Sequence, residues 1–259
     1  MTKMTENWCH LAQELADCAR PILKKYFRQQ LIIHDKDDAS PVTIADREVE
    51  TAMREILHAK AKGHGIIGEE YGKENEGADY IWVMDPIDGT KSFITGRPLF
   101  GSLIALLKEG KPILGLIDMP MLDERWIGIK GQNTLLNGRP VKSRSCGLLA
   151  EAYLSAASPH MFPDEKSTFL FNQIRQKCKL TTYNGDCYMY AMVATGFLDI
   201  IVEQGLGVYD YMALIPVLEG AGAHITDWRG NSLGLDSAGD VLATCDPKLH
   251  EAALEILRT

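Results

Sequence analysis

The stretch Trp82-Val83-Met84-Asp85-Pro86-Ile87-Asp88-Gly89-Thr90 constrains this chain more than any other segment. An apolar run delivers two aspartates, three residues apart, to a proline and a glycine. Along a regular strand side chains alternate faces, so residues three apart point to opposite sides. A sharp turn after Asp85 is therefore expected, bringing both carboxylates to one point. Convergent carboxylates repel unless neutralised, and hard divalent cations with oxygen ligands are the usual neutraliser. Gly89 and Thr90 add backbone N–H groups with little steric cover, which suit a phosphate oxygen. Asp-Pro and Asp-Gly are also ordinary turn dipeptides, so a solvated turn is the competing reading. The rest of the chain decides between them.

With 259 residues the chain can bury a large core, as one two-part domain or two small ones. A net charge of −8 argues against general nucleic-acid affinity, which needs a basic face. The six cysteines form no CxxC pair and no zinc spacing. Isolated cysteines and an N-terminus without an apolar h-region imply a reducing, cytoplasmic setting. No segment approaches the roughly 18 apolar residues of a membrane span. The phosphate-loop, GxSxG and HExxH motifs are absent. Gly220-Ala221-Gly222-Ala223-His224-Ile225 starts like GxGxxG but ends in isoleucine, and reads as a helix end with close packing. The seven histidines, His160 included, are dispersed, and none is assigned to catalysis.

Trp8, Leu11, Leu15, Cys18 and Ile22 recur at helical spacing, with Pro21 expected to kink or divide that helix. Lys36 to Ala39 reads as a polar loop. Thr43, with Asp46 three residues on, reads as a helix start, and Val49, Met53, Ile56 and Leu57 as its apolar stripe. Ile66-Ile67 and Tyr80 to Met84 read as buried strands, with Gly72 to Asp79 a polar loop between them. Ser102 to Leu107, Ile113 to Ile117, Trp126 to Ile129 and the Asn137-Gly138 turn form a hairpin-rich region. The character shifts near 145. Strands are expected at Tyr153 to Ala156, Leu198 to Val202 and His224 to Asp227. Helices are expected at Glu165 to Cys178, Cys187 to Thr195, Tyr211 to Glu219 and Pro247 to Leu257. Residues 1–145 thus read as an α+β half and 146–259 as an α/β half.

Carboxylates stand where these elements meet. Asp46 is in a first helical turn, Glu69 and Glu70 end a strand, Asp85 and Asp88 flank Pro86, and Asp210 precedes a helix. Each has a bland alternative: a capping box for Asp46, an N-cap for Asp210, surface charge for Glu69 and Glu70. Five such coincidences in one chain point to one shared site.

Ile67-Gly68-Glu69-Glu70, Trp82 through Thr90, and Tyr209-Asp210-Tyr211 with Glu219-Gly220-Ala221-Gly222 resemble the signature motifs of the inositol monophosphatase superfamily. Pro86 through Gly101, Ser40-Pro41-Val42-Thr43, Gly185-Asp186-Cys187-Tyr188 and Tyr209 through Leu214 resemble its histidinol-phosphate phosphatase branch more closely. After Asp88-Gly89-Thr90, inositol phosphatases more often carry Thr-Asn-Phe where this chain has Lys91-Ser92-Phe93.

The resemblance implies a layered α-β-α-β-α fold and a Mg²⁺-dependent phosphomonoesterase, with Mn²⁺ a possible substitute. Glu69, Asp85, Asp88, Asp210 and the carbonyl of Ile87 would hold two to three ions. Asp46 and Thr90 would orient the attacking water, with Glu69 beside them, and Asp88, Gly89 and Thr90 would receive the phosphoryl group. Asp186, Glu203 and Arg97 would select the leaving group. The bland alternatives are a helix N-cap for Asp186, surface charge for Glu203 and a structural role for Arg97; Tyr188 reads as packing. The substrate implied is histidinol phosphate, and the branch implies histidine biosynthesis. Inositol 1-phosphate and 3′,5′-bisphosphate nucleotides are the alternatives within the superfamily, and a non-catalytic binding protein the remote one. Relatives are usually homodimers, so a homodimer is implied, with no nucleic-acid or membrane partner.

Overall fold

The computed structural model describes residues 3–30, 34–35 and 41–259. The expected loop at Lys36 to Ala39 lies outside the described residues, as does Ser40. The N-terminal apolar stripe folds as α1 (Lys3–Tyr26), one helix with Pro21 inside it. The expected division does not occur. The proline ring removes the N–H that would bond the Asp17 carbonyl, but Asp17 and Pro21 both lie on the exposed face, where water can take that carbonyl. Strands β1 (His34–Asp35) and β2 (Pro41–Val42) pair antiparallel. Helix α2 (Ile44–Lys60) then opens on the expected capping box, in which Asp46 Oδ2 accepts the Thr43 amide at 2.8 Å.

An eight-stranded sheet follows, built from β3 (Gly65–Gly68), β4 (Gly72–Glu74), β5 (Tyr80–Asp88), β6 (Gly101–Lys108), β7 (Lys111–Met119), β8 (Glu124–Ile129), β9 (Leu135–Leu136) and β10 (Arg139–Pro140). The short helix α3 (Thr90–Ile94) interrupts it after β5. The spatial order is β10-β9-β8-β7-β6-β5-β3-β4. Strand β4 corrects the loop expected from Gly72 onward. Its three residues are exposed and carry no hydrophobic alternation, so only backbone pairing with β3 defines it.

A five-stranded sheet comes from the later chain, which runs β11 (Tyr153–Ala156), α4 (Glu165–Lys177), β12 (Leu180–Tyr183), α5 (Cys187–Thr195), β13 (Ile200–Glu203), α6 (Val208–Tyr211), α7 (Leu214–Gly220), β14 (His224–Thr226), β15 (Val241–Thr244) and α8 (Pro247–Leu257). Its order is β12-β11-β13-β15-β14. The single helix expected over Tyr211 to Glu219 is two, joined at Met212 and Ala213, and Asp210 lies within α6 rather than before a helix.

These elements stack as five layers. Helices α1 and α2 pack on one face of the first sheet, around Leu15, Leu23, Met53, Trp82 and Phe100. Helices α5 and α7 lie between the two sheets, and α4 and α8 cover the far face of the second. The layered α-β-α-β-α architecture is thus the one the sequence implied.

One irregularity in this frame builds the site. Strands β5 and β6 pair Asp85 with Leu103 and Asp88 with Gly101, so three steps on β5 match two on β6. The extra residue is a β-bulge. Side chains before and after it show the effect. Trp82 and Met84 face the α1/α2 core, and Ile87 joins that same core although strict alternation would turn it away. The sharp turn expected after Asp85 is therefore a bulge inside a continuing strand. Shifted by one residue, Asp85 and Asp88 come out on the same face.

Candidate active site

The bulge, the β3–β4 turn and helix α6 meet at one point. Ligand oxygens of Asp85, Asp88 and Asp210 all lie within 4.8 Å of one another. Asp85 Oδ1 accepts the Ile87 amide at 2.9 Å, which folds the carboxylate back over the bulge. Asp88 Oδ2 accepts the Cys187 amide at the start of α5. Asp210 Oδ2 accepts the Gly207 amide at 2.6 Å, a reach-back to the residue before α6. Glu69 stands outside this trio, but its carboxylate hydrogen-bonds Asp85 and its charge bears on Asp46 and Asp210.

Burial and mutual repulsion shape the charge state. Asp85 is pushed far above the usual carboxylate range by burial first, then by Glu69, Asp88 and Asp210. Asp88 is pushed up likewise by burial, then by Asp186 and Asp210, against the Cys187 bond. Asp210 rises to about 7, through burial and the Glu69 charge. A cluster like this binds protons or cations, because its ionised form is costly without a counter-charge. The donor set is oxygen only, which fits Mg²⁺ or Mn²⁺ and not a thiolate-seeking metal.

Asp46 is buried and pushed upward by desolvation, against its bonds to Thr43. Both Thr43 bonds fall on Oδ2. Its Oδ1 is buried with no partner among the described residues, an acceptor left for something else. Thr90 Oγ1 donates to the Ile87 carbonyl at 3.0 Å. Gly89, at φ +85°, has a backbone that side chains avoid; a Cβ there would also lie 2.7 Å from Asp186 Oδ2.

Asp186 holds the N-cap position of α5 yet makes no capping bond. Its Oδ2 instead accepts the Ser92 hydroxyl at 3.1 Å. Its backbone, at φ 45° and ψ −133°, is one that only glycine adopts freely, a strain of the kind found at functional sites. Burial raises its pKa, against Ser92 and the charges of Lys91 and Arg97. Arg97 itself is exposed. Glu203, for which surface charge was the alternative, is only 2% exposed. It accepts the Ala157 amide and the Tyr190 hydroxyl, each at 2.7 Å. Burial lifts it to about 7. Asp88, Asp186, Glu203 and Asp210 line one cavity of about 40 Å³ with Tyr190 and Leu206, and no lysine or arginine lines it among the described residues. Tyr188 packs edge-on against Trp126, with ring centroids 6.1 Å apart, and His160 is exposed.

The sequence reading gave no role to four participants, although Ser92 stood in the stretch that set this chain apart from inositol phosphatases. Ser92 and Tyr190 orient Asp186 and Glu203, and neither carries a spacing that marks it. Glu50 and Arg54 support the β3–β4 turn, and these were legible: with Asp46 they recur every four residues, one polar line down α2.

Comparison with known proteins gives a consistent result. The family model described as the inositol monophosphatase family matches residues 4–259. The chain is 49% identical to the chloroplastic bifunctional phosphatase IMPL2 of Arabidopsis thaliana, over 97% of this chain and 75% of that one. It is 36% identical to a histidinol-phosphatase of Chlorobaculum parvum, over 90% of each. A solved inositol monophosphatase from Zymomonas mobilis superposes with a TM-score of 0.91 at 43% identity, over the full length of both.

Proposed function

The chain belongs to the inositol monophosphatase family of phosphatases, and on that premise we propose that it is a Mg²⁺-dependent histidinol-phosphate phosphatase, releasing histidinol and phosphate. The observation that carries this reading is the cavity beside the carboxylate trio, walled by Asp186 and Glu203, with no lysine or arginine in its lining among the described residues. Such a wall attracts a cationic leaving group, and histidinol brings an ammonium and an imidazole.

Asp85, Asp88, Asp210, Glu69 and the Ile87 carbonyl would hold the cations. A bound divalent cation supplies Lewis acidity to the phosphoryl group and lowers the pKa of a water. Asp46 Oδ1 accepts a hydrogen bond from one hydrogen of the attacking water, and Thr90 Oγ1, whose own O–H donates to the Ile87 carbonyl, accepts from the other. The water's lone pair is then free for phosphorus. The amides of Gly89 and Thr90 hold the phosphoryl oxygens. Asp186, steadied by Ser92, and Glu203, steadied by Tyr190, bind the leaving group, with Arg97 at the rim. The cytoplasm is the compartment we assign; all six cysteines are free, as a reducing compartment requires. No helix among the described residues is long and apolar enough to cross a membrane.

Inositol monophosphatase is the second reading, favoured by the Zymomonas relative, because polyol hydroxyls can donate to the same carboxylates. Phosphate release by metal-stripped protein, with and without Mg²⁺, decides. The panel is histidinol phosphate, inositol 1-phosphate, adenosine 3′,5′-bisphosphate and fructose 1,6-bisphosphate. A Mg²⁺-dependent preference for histidinol phosphate by orders of magnitude is expected. Preference for another ester would overturn the substrate and keep the chemistry; no turnover of any would favour a binding protein on this fold.

A further inference from the structure

The three-residue turn Glu69-Glu70-Tyr71 joins β3 to an edge strand whose residues are all exposed. What holds the turn comes from α2. Glu50 Oε2 accepts the Glu70 amide at 2.7 Å, and Oε1 accepts the Tyr71 amide at 3.2 Å. Arg54 Nε donates to Glu50 Oε1 at 2.8 Å, while its NH2 donates to the Gly72 carbonyl at 2.6 Å. Its NH1 reaches Glu74 at 2.5 Å. The turn is thus gripped at the two amides after Glu69 and at the carbonyl that ends it.

The Glu50 side chain is fully buried and that of Arg54 is 7% exposed. A buried ion pair is a poor way to gain stability, because desolvation offsets most of the attraction. It is a good way to fix geometry. Three N–H donors converge on Glu50, and only an acceptor-only group satisfies them all; a glutamine would turn its NH₂ toward a donor. Gly68 makes the reach possible, since a Cβ there would lie 2.0 Å from Glu50 Oε1.

We infer that Glu50, braced by Arg54, is the positioning residue for Glu69, holding that carboxylate against Asp85 so that the cation site is formed before a cation arrives. The inference rests on the proposed role of Glu69 as a metal ligand. Outer partners of metal ligands typically change affinity by about 10- to 100-fold.

The test is Mn²⁺ binding by calorimetry to wild type, Glu50→Gln, Glu69→Gln and the double variant, with thermal melts of each metal-free protein. Glu50→Gln should weaken Mn²⁺ by about tenfold in the presence of Glu69 and leave the Glu69→Gln background unchanged. At saturating Mg²⁺ its kcat should lie within about threefold of wild type, because the reacting groups are intact. Equal weakening in both backgrounds, or a lowered melting temperature with unchanged Mn²⁺ affinity, would make Glu50 merely structural and overturn the inference. If Glu69→Gln binds Mn²⁺ as wild type does, the ligand role of Glu69 fails and the inference with it. Should Glu50→Gln not fold, Arg54→Lys keeps the charge against Glu50, loses the fork to Gly72, and should show the same background-dependent weakening.

Discussion

Asp88 caps the helix that begins at Cys187. Its Oδ2 takes the Cys187 amide, so the carboxylate that closes the β5 bulge also anchors α5, the helix between the two sheets. Asp186, one residue before, is thereby free of capping duty and turns its oxygens to Ser92 and the cavity. Asp88→Asn keeps an acceptor for the amide, whereas Asp88→Ala strips the cap. Loss of an N-cap side chain costs about 1 kcal/mol, so metal-free Asp88→Ala should melt below Asp88→Asn, while both lose Mg²⁺-dependent turnover. Equal melting temperatures would deny the cap.

Asp85→Asn should abolish phosphate release and, in chelator, melt above wild type. The neutral amide relieves a buried carboxylate pressed by Glu69, Asp88 and Asp210, a repulsion worth about 1–3 kcal/mol. Adding Mg²⁺ should reverse the order, stabilising wild type alone. Retained turnover would sink the proposed cation site.

Asp186→Gly should separate stability from selectivity. Glycine relaxes the backbone at φ 45° and ψ −133°, a gain of about 1–2 kcal/mol. The same change should lower kcat/KM for histidinol phosphate by about 100-fold, as loss of a buried charge contact does, and for inositol 1-phosphate by far less. If both esters suffer equally, Asp186 does not read the charge of the leaving group.

The stability of metal-free protein should fall as pH rises from 4.5 to 7. Glu203 holds its proton up to about 7 in the fold, against 4.5 ordinarily. Over that window the folded state binds the extra proton, so Glu203's share is complete below 4.5 and lost through 7. It amounts to about 3 kcal/mol. Urea denaturation at pH 5 and pH 8 should show this fall, and Glu203→Gln should flatten it; an unchanged slope in the variant would assign the fall elsewhere.

Much of this was legible in the sequence, for reasons that differ by element. Helices α1, α2 and α8 carry long periodic stripes, strands β5 to β7 are long apolar runs bounded by turn residues, and α5 lies between Asp186 and a left-handed Gly196 that stops it. Strand β15 escaped because it is only four residues long, Val241 to Thr244, and the break between α6 and α7 because Met212 and Ala213 are good helix formers. Residue types pointed to the acidic cluster before any geometry did. What they could not supply was the means of convergence, since a bulge is an offset between two strands and neither alone encodes it.

That offset means the sheet and the chemistry want different numbers of residues in β5. Keep all its residues but pair them one for one past Leu103, without the bulge, and the β5–β6 ladder would be regular. Asp88 would then be delivered to the α1/α2 core, far from Asp210, and the amide of Cys187 would lose its partner. The bulge is a reading frame written in backbone: a ladder that skipped it would leave every later residue of β5 intact and turn each to the wrong side.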